Sequence, residues 1–477
     1  MAAAPRQRII LLCCAVLLTS IGAAAPGERG PQRQPPAIAP AHPVDIILGR
    51  PTDTSIVLSV LCSADTKAVI AYGAQTSDLS AHTGTESFQQ GEPREIVLEK
   101  LQPETRYCYQ LLDAVTRKPL LEGSFRTRRT PGSTFTFTIT ADSHLDQNTD
   151  TALYQRTLAN ALADAPDFHI DLGDTFMTGK HANRENAAGQ YLAQRFYFGQ
   201  LCRSAPLFLV LGNHDGEESK LRRGADSLAV WSNTMRKRYF PNPVPDGFYT
   251  GNATRDPLAG LLQDYYAWQW GDALFLALDP YWHSSGGRSD DGWNLTLGAE
   301  QYAWLKKTVE TSKAMFKLVF VHQLVGGLGM QGRGGAEAAP FGEWGGRNAD
   351  GIDGFEAHRP GWDMPIHQLL VQNHVAIVFH GHDHLFAKQD LDGLVYQEVP
   401  QPGFAGLGSP RAAEYGYRDG VILGGSGHMR VTVSPDTLSV DYVRVYAAGA
   451  EDTGHSNRQV SCSYTIAGHD DATLRKP

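Results

Sequence analysis

The chain has 477 residues, of which 42% are hydrophobic and 19% are charged, and its formal net charge is -9. Such a composition is ordinary for globular proteins, and the length is sufficient for two or three domains with large cores. The negative charge and the lack of a long Lys/Arg run argue against a nucleic-acid partner, because proteins that bind nucleic acids usually carry a basic patch.

Residues 1–25 have the pattern of a secretory signal peptide. Two arginines precede the apolar run 9–18, and small residues follow up to Ala25, where cleavage is expected. The run is short for a bilayer-spanning helix, so a membrane anchor is the weaker alternative, and a lipoprotein signal through Cys13 or Cys14 is weaker still. We therefore expect an exported protein, either secreted or periplasmic, whose mature form has no membrane span.

Two segments of different composition follow. Residues 26–43 contain six prolines and little that could pack, which indicates a linker. Residues 44–129 have the pattern of short strands separated by turns, which predicts a small all-β sandwich. Residues 101–107 resemble the corner before the sixth strand of a fibronectin type III domain, in which a tyrosine hydroxyl, here that of Tyr107, bonds back to the upstream chain. The predicted strands are Ser55–Cys62, Lys67–Tyr72, Arg94–Leu98, Thr105–Asp113 and Gly123–Thr127.

Four cysteines lie outside the predicted signal peptide, and export would permit disulfides. Four cysteines allow three connectivities, of which we prefer Cys62 with Cys108 and Cys202 with Cys462. Cys108 directly follows Tyr107, so strand alternation places the two on opposite faces, and a bridge from Cys108 would lie off the core. Four buried free thiols are the open alternative.

Residues 130–447 alternate strand patterns with helical patterns, which predicts an α/β domain, and residues 448–477 have the composition of a C-terminal tail. Residues 326–354 stand apart, because glycine is dense and polar residues are scattered among it. A long irregular loop in a compact domain is usually a functional lid or a disordered connection, and we favour a loop over the substrate. The predicted helices are 150–163, 300–312 and 365–373, and the predicted later strands are 272–278, 421–433 and 438–446.

Five strand-like runs in this domain end in Asp, Asn or His. The carboxyl ends of strands are where ligands bind in open α/β sheets. Taken singly, each residue has an ordinary explanation, such as a helix cap, a turn or a buried, hydrogen-bonded histidine. Taken together, their carboxylates would be unpaired unless cations neutralised them, and two divalent cations would do so. The residues are Asp142 and His144; Asp174; Asn213, His214 and Asp215; His322; and His380, His382, Asp383 and His384.

In their order, and in their position at strand ends, these residues resemble the five sequence blocks of the calcineurin-like metallophosphoesterases. The resemblance extends from Phe135 to His384 and implies a four-layer α/β/β/α sandwich. It also implies a dinuclear metal site in which Asp174 bridges both ions. The first ion would be held by Asp142, His144 and His384, and the second by Asn213, His322 and His382.

The same resemblance implies catalytic roles. His214 would protonate the leaving oxygen, and Asp215 would orient and charge its imidazole, although capping of a helix is an alternative role for Asp215. His380, Arg333 and Arg347 are candidates for substrate binding. The alternatives for these three are a structural histidine and solvated loop arginines.

The reaction implied by the resemblance is hydrolysis of a phosphate mono- or diester by direct attack of metal-bound hydroxide, without a covalent enzyme intermediate. Nitrogen and oxygen ligands without thiolate favour Fe, Mn or Zn. The leading β-sandwich is similar to that of purple acid phosphatases and alkaline phosphodiesterases, but Met177 replaces the tyrosine of the purple enzymes, and His144 is a second departure.

Two alternatives remain open. One is a different substrate for the same site, as in a nucleotidase, a nuclease or a lipid phosphodiesterase. The other is a binding or adhesion protein on a degenerate phosphatase scaffold, although none of the seven expected ligands is missing from the sequence. The expected partner is a small phosphorylated substrate, and the oligomeric state is left open.

Overall fold

The computed structural model describes residues 38–468, apart from 223, 285–291, 328–332, 407 and 409–410. The predicted signal peptide, most of the predicted linker and residues 469–477 lie outside the described residues. Across the described ranges, no helix is both long enough and apolar enough to cross a bilayer.

The N-terminal region is all-β and consists of two antiparallel sheets around one apolar core. The backbone N–H of Gln102 donates to the Tyr107 hydroxyl at 2.9 Å, which is the bond predicted for this corner. The first sheet has the order β1 (Val44–Gly49), β2 (Ile56–Cys62) and β6 (Arg94–Leu98). The second has the order β4 (Ala81–His82), β3 (Thr66–Gly73), β7 (Arg106–Asp113) and β8 (Pro119–Arg126), with β5 (Glu86–Phe88) also paired to β3.

Two larger sheets follow. The six-stranded sheet has the order β11 (Leu207–Leu209), β10 (His169–Asp171), β9 (Phe135–Thr140), β22 (Gly427–Val433), β23 (Thr437–Arg444) and β24 (Val460–Ala467). The eight-stranded sheet has the order β12 (Thr250–Gly251), β15 (Tyr266–Trp270), β16 (Ala273–Ala277), β17 (Phe316–Phe320), β18 (Ile377–His380), β20 (Leu394–Glu398), β19 (Phe386–Leu391) and β21 (Val421–Leu423). A small hairpin pairs β13 (Arg255–Asp256) with β14 (Gly260–Leu261).

The two large sheets pack face to face through an aromatic core. Phe137 stacks on Phe168 with ring centroids 5.2 Å apart, and Phe208 of the six-stranded sheet stacks on Trp268 of the eight-stranded sheet at 4.0 Å. Interdigitation of this kind fills the space between the sheets at the density of a protein interior. It fixes the two sheets against each other, so loops from both can form a single site.

Helices cover the outer faces and complete the predicted four-layer α/β/β/α sandwich. The six-stranded sheet is covered by α1 (Thr151–Ala163), α2 (Arg184–Cys202) and α3 (Leu228–Tyr239). The eight-stranded sheet packs against α4 (Ala299–Thr311), α5 (Gly335–Ala338), α6 (Gly342–Gly345) and α8 (Ile366–Gln372), and α7 (Phe355–His358) lies beside α6. Two short 3₁₀ turns span Thr178–Lys180 and Ser219–Leu221.

Most predicted elements are found within a few residues of their expected bounds, but the predicted strand 421–433 is two strands, β21 and β22, which belong to different sheets. The predicted helix 150–163 begins at Thr151, because the Asp150 side chain accepts the N–H groups of Ala152 and Leu153 and caps the helix. The helices α2 and α3 and the strand β1 are absent from the sequence-based prediction. Residues 460–467, predicted as part of a tail, instead form the edge strand β24 paired with β23.

The predicted disulfides are not present, since all four described cysteines are free thiols. Cys62 lies in the apolar core of the N-terminal region, whereas Cys108 is on the half-exposed face of β7, as strand alternation requires. Cys202 is buried beneath the helices of the six-stranded sheet, and Cys462 packs against the core between the sheets. The two cysteines of each preferred pair therefore lie in different surroundings and are not bonded to each other.

A buried arginine joins the N-terminal region to the larger domain. Arg195 of α2 is fully buried, and its guanidinium donates to Asp45 Oδ1 at 2.7 Å and to the hydroxyl and carbonyl of Ser59 at 2.9 Å each. It also donates to the carbonyl of Tyr239 in its own domain. These bonds satisfy a charge that would otherwise be costly to bury.

Replacing Arg195 with methionine is expected to destabilise the protein by about 3–5 kcal/mol, because the buried Asp45 carboxylate loses its guanidinium partner. The shift of the urea-unfolding midpoint measures this loss. Arg238→Met is the matched control, because Arg238 pairs with Glu92 of the N-terminal region on the exposed surface and should cost about 1 kcal/mol or less. Equal shifts for the two variants would contradict this account of the interface.

Candidate metal centre

The site lies where the parallel strands of both sheets end. The strands β9, β10 and β11 are parallel, as are β16, β17, β18 and β20, so the carboxyl ends within each set meet at one edge. Asp142, Asp174 and Asn213 follow the strands of the first set. His322 follows β17, and His382 follows β18.

The structure brings the predicted ligands together in two groups. One group consists of Asp142, His144 and His384, whose potential ligand atoms all lie within 4.8 Å of one another. The other group consists of Asp174, His322 and His382 under the same limit. Asn213 joins this second group, because its Oδ1 lies 3.2 Å from His322 Nε2.

Asp174 belongs to the second group but also lies close to the first. Its Oδ2 is 3.6 Å from Nε2 of His144 in the first group and 3.5 Å from Nε2 of His322 in the second. A single carboxylate with contacts on both sides can span two ions that lie about 3.5–4 Å apart. The position expected of a bridging ligand is therefore occupied by an aspartate.

Two buried atoms in the first group show that the residues fit a metal ion. Among the described residues, Asp142 Oδ1 and His144 Nε2 are buried without a hydrogen-bond partner, and they lie 3.6 Å apart. Leaving a buried acceptor unsatisfied costs about 1–3 kcal/mol, and more for a charged group. Both atoms are suitable metal ligands, and a cation between them would satisfy both.

The backbone at the site is held in an unusual conformation. Five of the seven predicted ligands have a positive φ, a region that non-glycine residues seldom adopt: Asp142, His144, Asp174, His382 and His384. Nearby glycines permit very close approach of the loops. A Cβ added to Gly212 would lie 2.1 Å from the Asp174 nitrogen, and one added to Gly381 would lie 2.7 Å from Asp142 Oδ2. Clustering of such backbone strain is typical of functional sites.

Hydrogen bonds to the backbone orient the ligands. His322 Nδ1 donates to the carbonyl of Leu172 at 2.8 Å, which turns Nε2 toward the second group. Asp142 Oδ2 accepts the backbone N–H of His382 at 2.9 Å, so its Oδ1 remains directed at the imidazoles. Asp174 Oδ1 accepts the N–H of His214 at 2.7 Å and leaves Oδ2 between the groups.

Carboxylates and imidazoles shift one another's pKa values strongly here. Burial alone would raise the pKa of Asp142, but His384 and His322 outweigh burial and hold this pKa far below its usual range. Burial likewise disfavours the charged form of His322, yet Asp174 and Asp142 raise its pKa to about 9. In the absence of metal, protons on His322 and His144, whose pKa values are both raised, therefore compensate part of the acidic charge. Metal binding would displace those protons.

The Asp215 carboxylate makes no hydrogen bond or ion pair with the imidazole of His214, which the predicted role would require. Its carboxylate is buried and accepts four backbone N–H groups, from Gly212 at 2.7 Å, Asp174 at 3.2 Å, Thr175 at 2.8 Å and Phe176 at 2.7 Å. The carboxylate thus ties the loop after β11 to the loop after β10. Strand-end spacing could not reveal this, because three of the four partners are backbone groups of another loop.

His214 faces the open side of the centre. Its side chain is 28% exposed, and Nε2 lies 3.9 Å from Asp174 Oδ2. Burial lowers the pKa of His214 to about 4, so its imidazole is neutral near pH 7. A neutral imidazole can still donate one N–H to an oxygen of a substrate.

The three predicted substrate-binding residues have different positions. Arg333 lines the cavity but donates to Asp383 Oδ1 at 2.7 Å and to the carbonyl of His382 at 3.2 Å, so it supports the loop that carries a ligand. His380 is buried with Nδ1 2.5 Å from Glu398 Oε2, and burial lowers its pKa to about 3. Arg347 is exposed. In the part of the chain that the structure describes, neither His380 nor Arg347 lines the cavity, so their predicted substrate contacts find no support.

A cavity of about 680 Å³ opens over the metal ligands. Part of its wall comes from the connection between β20 and β21, through Gln401, Phe404, Gly408, Arg411 and Tyr415. Nothing in the composition or periodicity of this connection marks it as part of a site. Lining residues that were not predicted as site residues include Asp146, Met177, Lys180, Phe404, Arg411 and Tyr415.

Comparison with known proteins agrees with this geometry. In fold, the structure of PhoD is similar with a TM-score of 0.64 at 14% identity, covering 89% of this chain and 90% of that chain. The purple acid phosphatase PPD1 from yellow lupin (Lupinus luteus) seeds gives a TM-score of 0.59 at 14% identity, covering 91% of this chain and 76% of that chain. No curated protein matches the sequence significantly. The model of the calcineurin-like phosphoesterases matches residues 135–386, more than half of the 477 residues, and the chain therefore belongs to the calcineurin-like phosphoesterase family.

Proposed function

We propose that the chain is an exported hydrolase of small phosphate mono- or diesters that works with two metal ions. The observation that carries the proposal is the placement of Asp174 between two ligand groups, at the base of a cavity of about 680 Å³. Family membership makes the chain a metal-dependent phosphoester hydrolase. The dinuclear centre, the substrate class and export go beyond family membership and belong to the proposal.

Seven residues would hold the two metal ions. Asp142, His144 and His384 would hold one ion, and Asn213, His322 and His382 would hold the other, with Asp174 shared. The nitrogen and oxygen donors, with no thiolate, favour Fe, Mn or Zn over Mg or Ca. When bound, the ions would supply Lewis acidity to the phosphoryl group and lower the pKa of a water molecule.

Residues at the cavity would orient the substrate, and Asp215 holds the loops that carry the ligands. His214 lies at the cavity wall, where its imidazole can donate a hydrogen bond to the leaving oxygen. Lys180 and Arg411 line the same cavity and offer positive charge to the phosphate oxygens. The bonds of Asp215 to four backbone groups hold the loops in register, so that the ligands keep their separation.

The test is hydrolysis of p-nitrophenyl phosphate and bis(p-nitrophenyl) phosphate by chelated protein and by protein reloaded with Zn, Mn or Fe. We expect about two metal ions per chain in the reloaded protein, activity on at least one ester, and loss of activity after chelation. The intact mass of protein recovered from its natural source should lack the first 25 residues if the chain is exported.

The outcomes separate the alternatives. A protein that binds no metal and hydrolyses neither ester would overturn the proposal and favour a binding protein on a phosphatase scaffold. Activity on nucleic acid or lipid phosphodiesters that greatly exceeds activity on both nitrophenyl esters would overturn the choice of small substrates. A full-length mass with an intact N-terminus would overturn export alone.

A further inference from the structure

Phe404 presents an apolar ring to the cavity. It is one of the few large apolar side chains among the described residues with more than a third of its surface exposed, at 40%. Single exposed apolar residues are common on protein surfaces and need no explanation by themselves. Phe404 differs because its ring lines the same cavity as His144 and His384, two of the predicted metal ligands.

The backbone that carries this ring is firmly anchored. The N–H of Phe404 donates to the hydroxyl of the buried Ser426 at 2.7 Å, and that hydroxyl donates back to the carbonyl of Phe404 at 2.7 Å. Just before it, the carbonyl of Gly403 accepts the N–H of Asp150 at 2.8 Å, and the carbonyl of Pro402 accepts the hydroxyl of Thr157 at 2.6 Å. The ring is therefore exposed on a segment whose backbone is held in place.

Gly406 packs against the edge of the same ring. A Cβ added at this glycine would lie 2.3 Å from Phe404 Cε1, which is too close for any side chain. One edge of the ring is therefore covered by chain, while 40% of the residue's surface stays exposed. An exposed, pre-oriented aromatic face costs little conformational entropy when it binds a planar partner.

We propose that Phe404, held by Ser426 and Gly406, forms a subsite that binds the alcohol portion of the substrate and selects phosphate esters of planar aromatic alcohols. This inference rests on the proposed function. It names the substrate class for the same site, since the phosphate would lie at the metal ligands and the aromatic group against the ring. Burial of the ring by substrate would also remove exposed apolar surface from water.

The test compares two esters in the metal-loaded full chain and in the variants Phe404→Ala and Phe404→Tyr. The esters are p-nitrophenyl phosphate and glycerol 2-phosphate, which lacks an aromatic group. We expect Phe404→Ala to raise the KM for p-nitrophenyl phosphate about ten-fold, the loss of one aromatic contact, and to change the KM for glycerol 2-phosphate less than about two-fold. Phe404→Tyr should keep the wild-type preference.

Binding without turnover gives an independent readout. Calorimetry with phenylphosphonate and methylphosphonate should show that Phe404→Ala weakens only the phenyl compound, again about ten-fold. Leu258→Ala is the control, because Leu258 is similarly exposed, at 43%, and does not line the cavity. It should leave both affinities unchanged.

Two kinds of failure can be told apart. Equal losses for the phenyl and methyl phosphonates, or no loss for either, would overturn the aromatic subsite while wild-type activity leaves the proposed function intact. A metal-loaded wild-type chain that hydrolyses neither ester and binds neither phosphonate would instead overturn the proposed function, and the subsite with it.

Discussion

Asp174→Asn is expected to lower kcat/KM for p-nitrophenyl phosphate by about 1000-fold or more, equivalent to about 4 kcal/mol of transition-state stabilisation. The asparagine can still accept the N–H of His214, so the loop keeps its main anchor. It replaces the charged oxygen that lies 3.6 Å from His144 and 3.5 Å from His322 with either a neutral oxygen or an amide. Metal analysis of the purified variant should show the loss of at least one ion per chain.

Asp171→Asn is the matched control from the same segment. The Asp171 carboxyl is buried, its pKa is raised to about 7 by burial, and it bonds to the hydroxyls of Thr140 and Thr175. An amide therefore replaces a carboxyl that is only about half ionised near pH 7, and activity should stay within about five-fold of wild type. An Asp174→Asn enzyme with both ions bound and activity within ten-fold of wild type would contradict the bridging role.

Asp215→Ala is expected to destabilise the protein by about 4 kcal/mol or more, because four buried backbone N–H groups lose their acceptor at once. The loops after β10 and β11 would then separate, and metal retention should fall together with activity. The measurements are the urea-unfolding midpoint and the metal content of the dialysed protein. Asp215→Asn should fall between the alanine variant and wild type, because it keeps one acceptor oxygen.

Asp150→Ala provides the comparison. The Asp150 carboxylate also accepts two backbone N–H groups, but at the end of α1, near solvent, and its loss should cost about 0.5–2 kcal/mol with little effect on the bound metal. If Asp215 acted mainly by orienting His214, its removal would lower kcat and leave stability unchanged. That pattern would contradict the loop-anchoring role and support the role predicted from sequence.

The residues of the candidate metal centre could be predicted because short patterns in the sequence mark them. A buried strand followed at once by Asp, Asn or His places that side chain at a sheet edge, and parallel strands bring their edges together. The sequence thus indicated which residues converge on the site, including Asp142, Asp174 and His322. It could not indicate how the loops are held, because the partners of Asp215 and Arg333 are backbone groups and a carboxylate from other segments.

The helix α2 shows why some of the fold was missed. Its buried face contains Gln190, Gln194 and Arg195, and these polar residues interrupt the apolar stripe that would have marked a helix. The side-chain hydrogen bonds of all three go to residues outside the helix. For the same reason the positions of Phe404, Arg411 and Tyr415 at the cavity emerged only from the structure, since neither composition nor periodicity marks them.

The contacts of α2 have a further consequence. Gln190 donates to the carbonyls of His144 and Thr175, and Gln194 donates to Ser143 Oγ and again to Thr175. The neighbouring Arg195 bonds to the N-terminal sheet. The same helix therefore supports the loops at the metal centre through two side-chain amides and binds the β-sandwich through a guanidinium. Although no described residue of the sandwich lines the cavity, its position is mechanically linked to the geometry of the reactive centre.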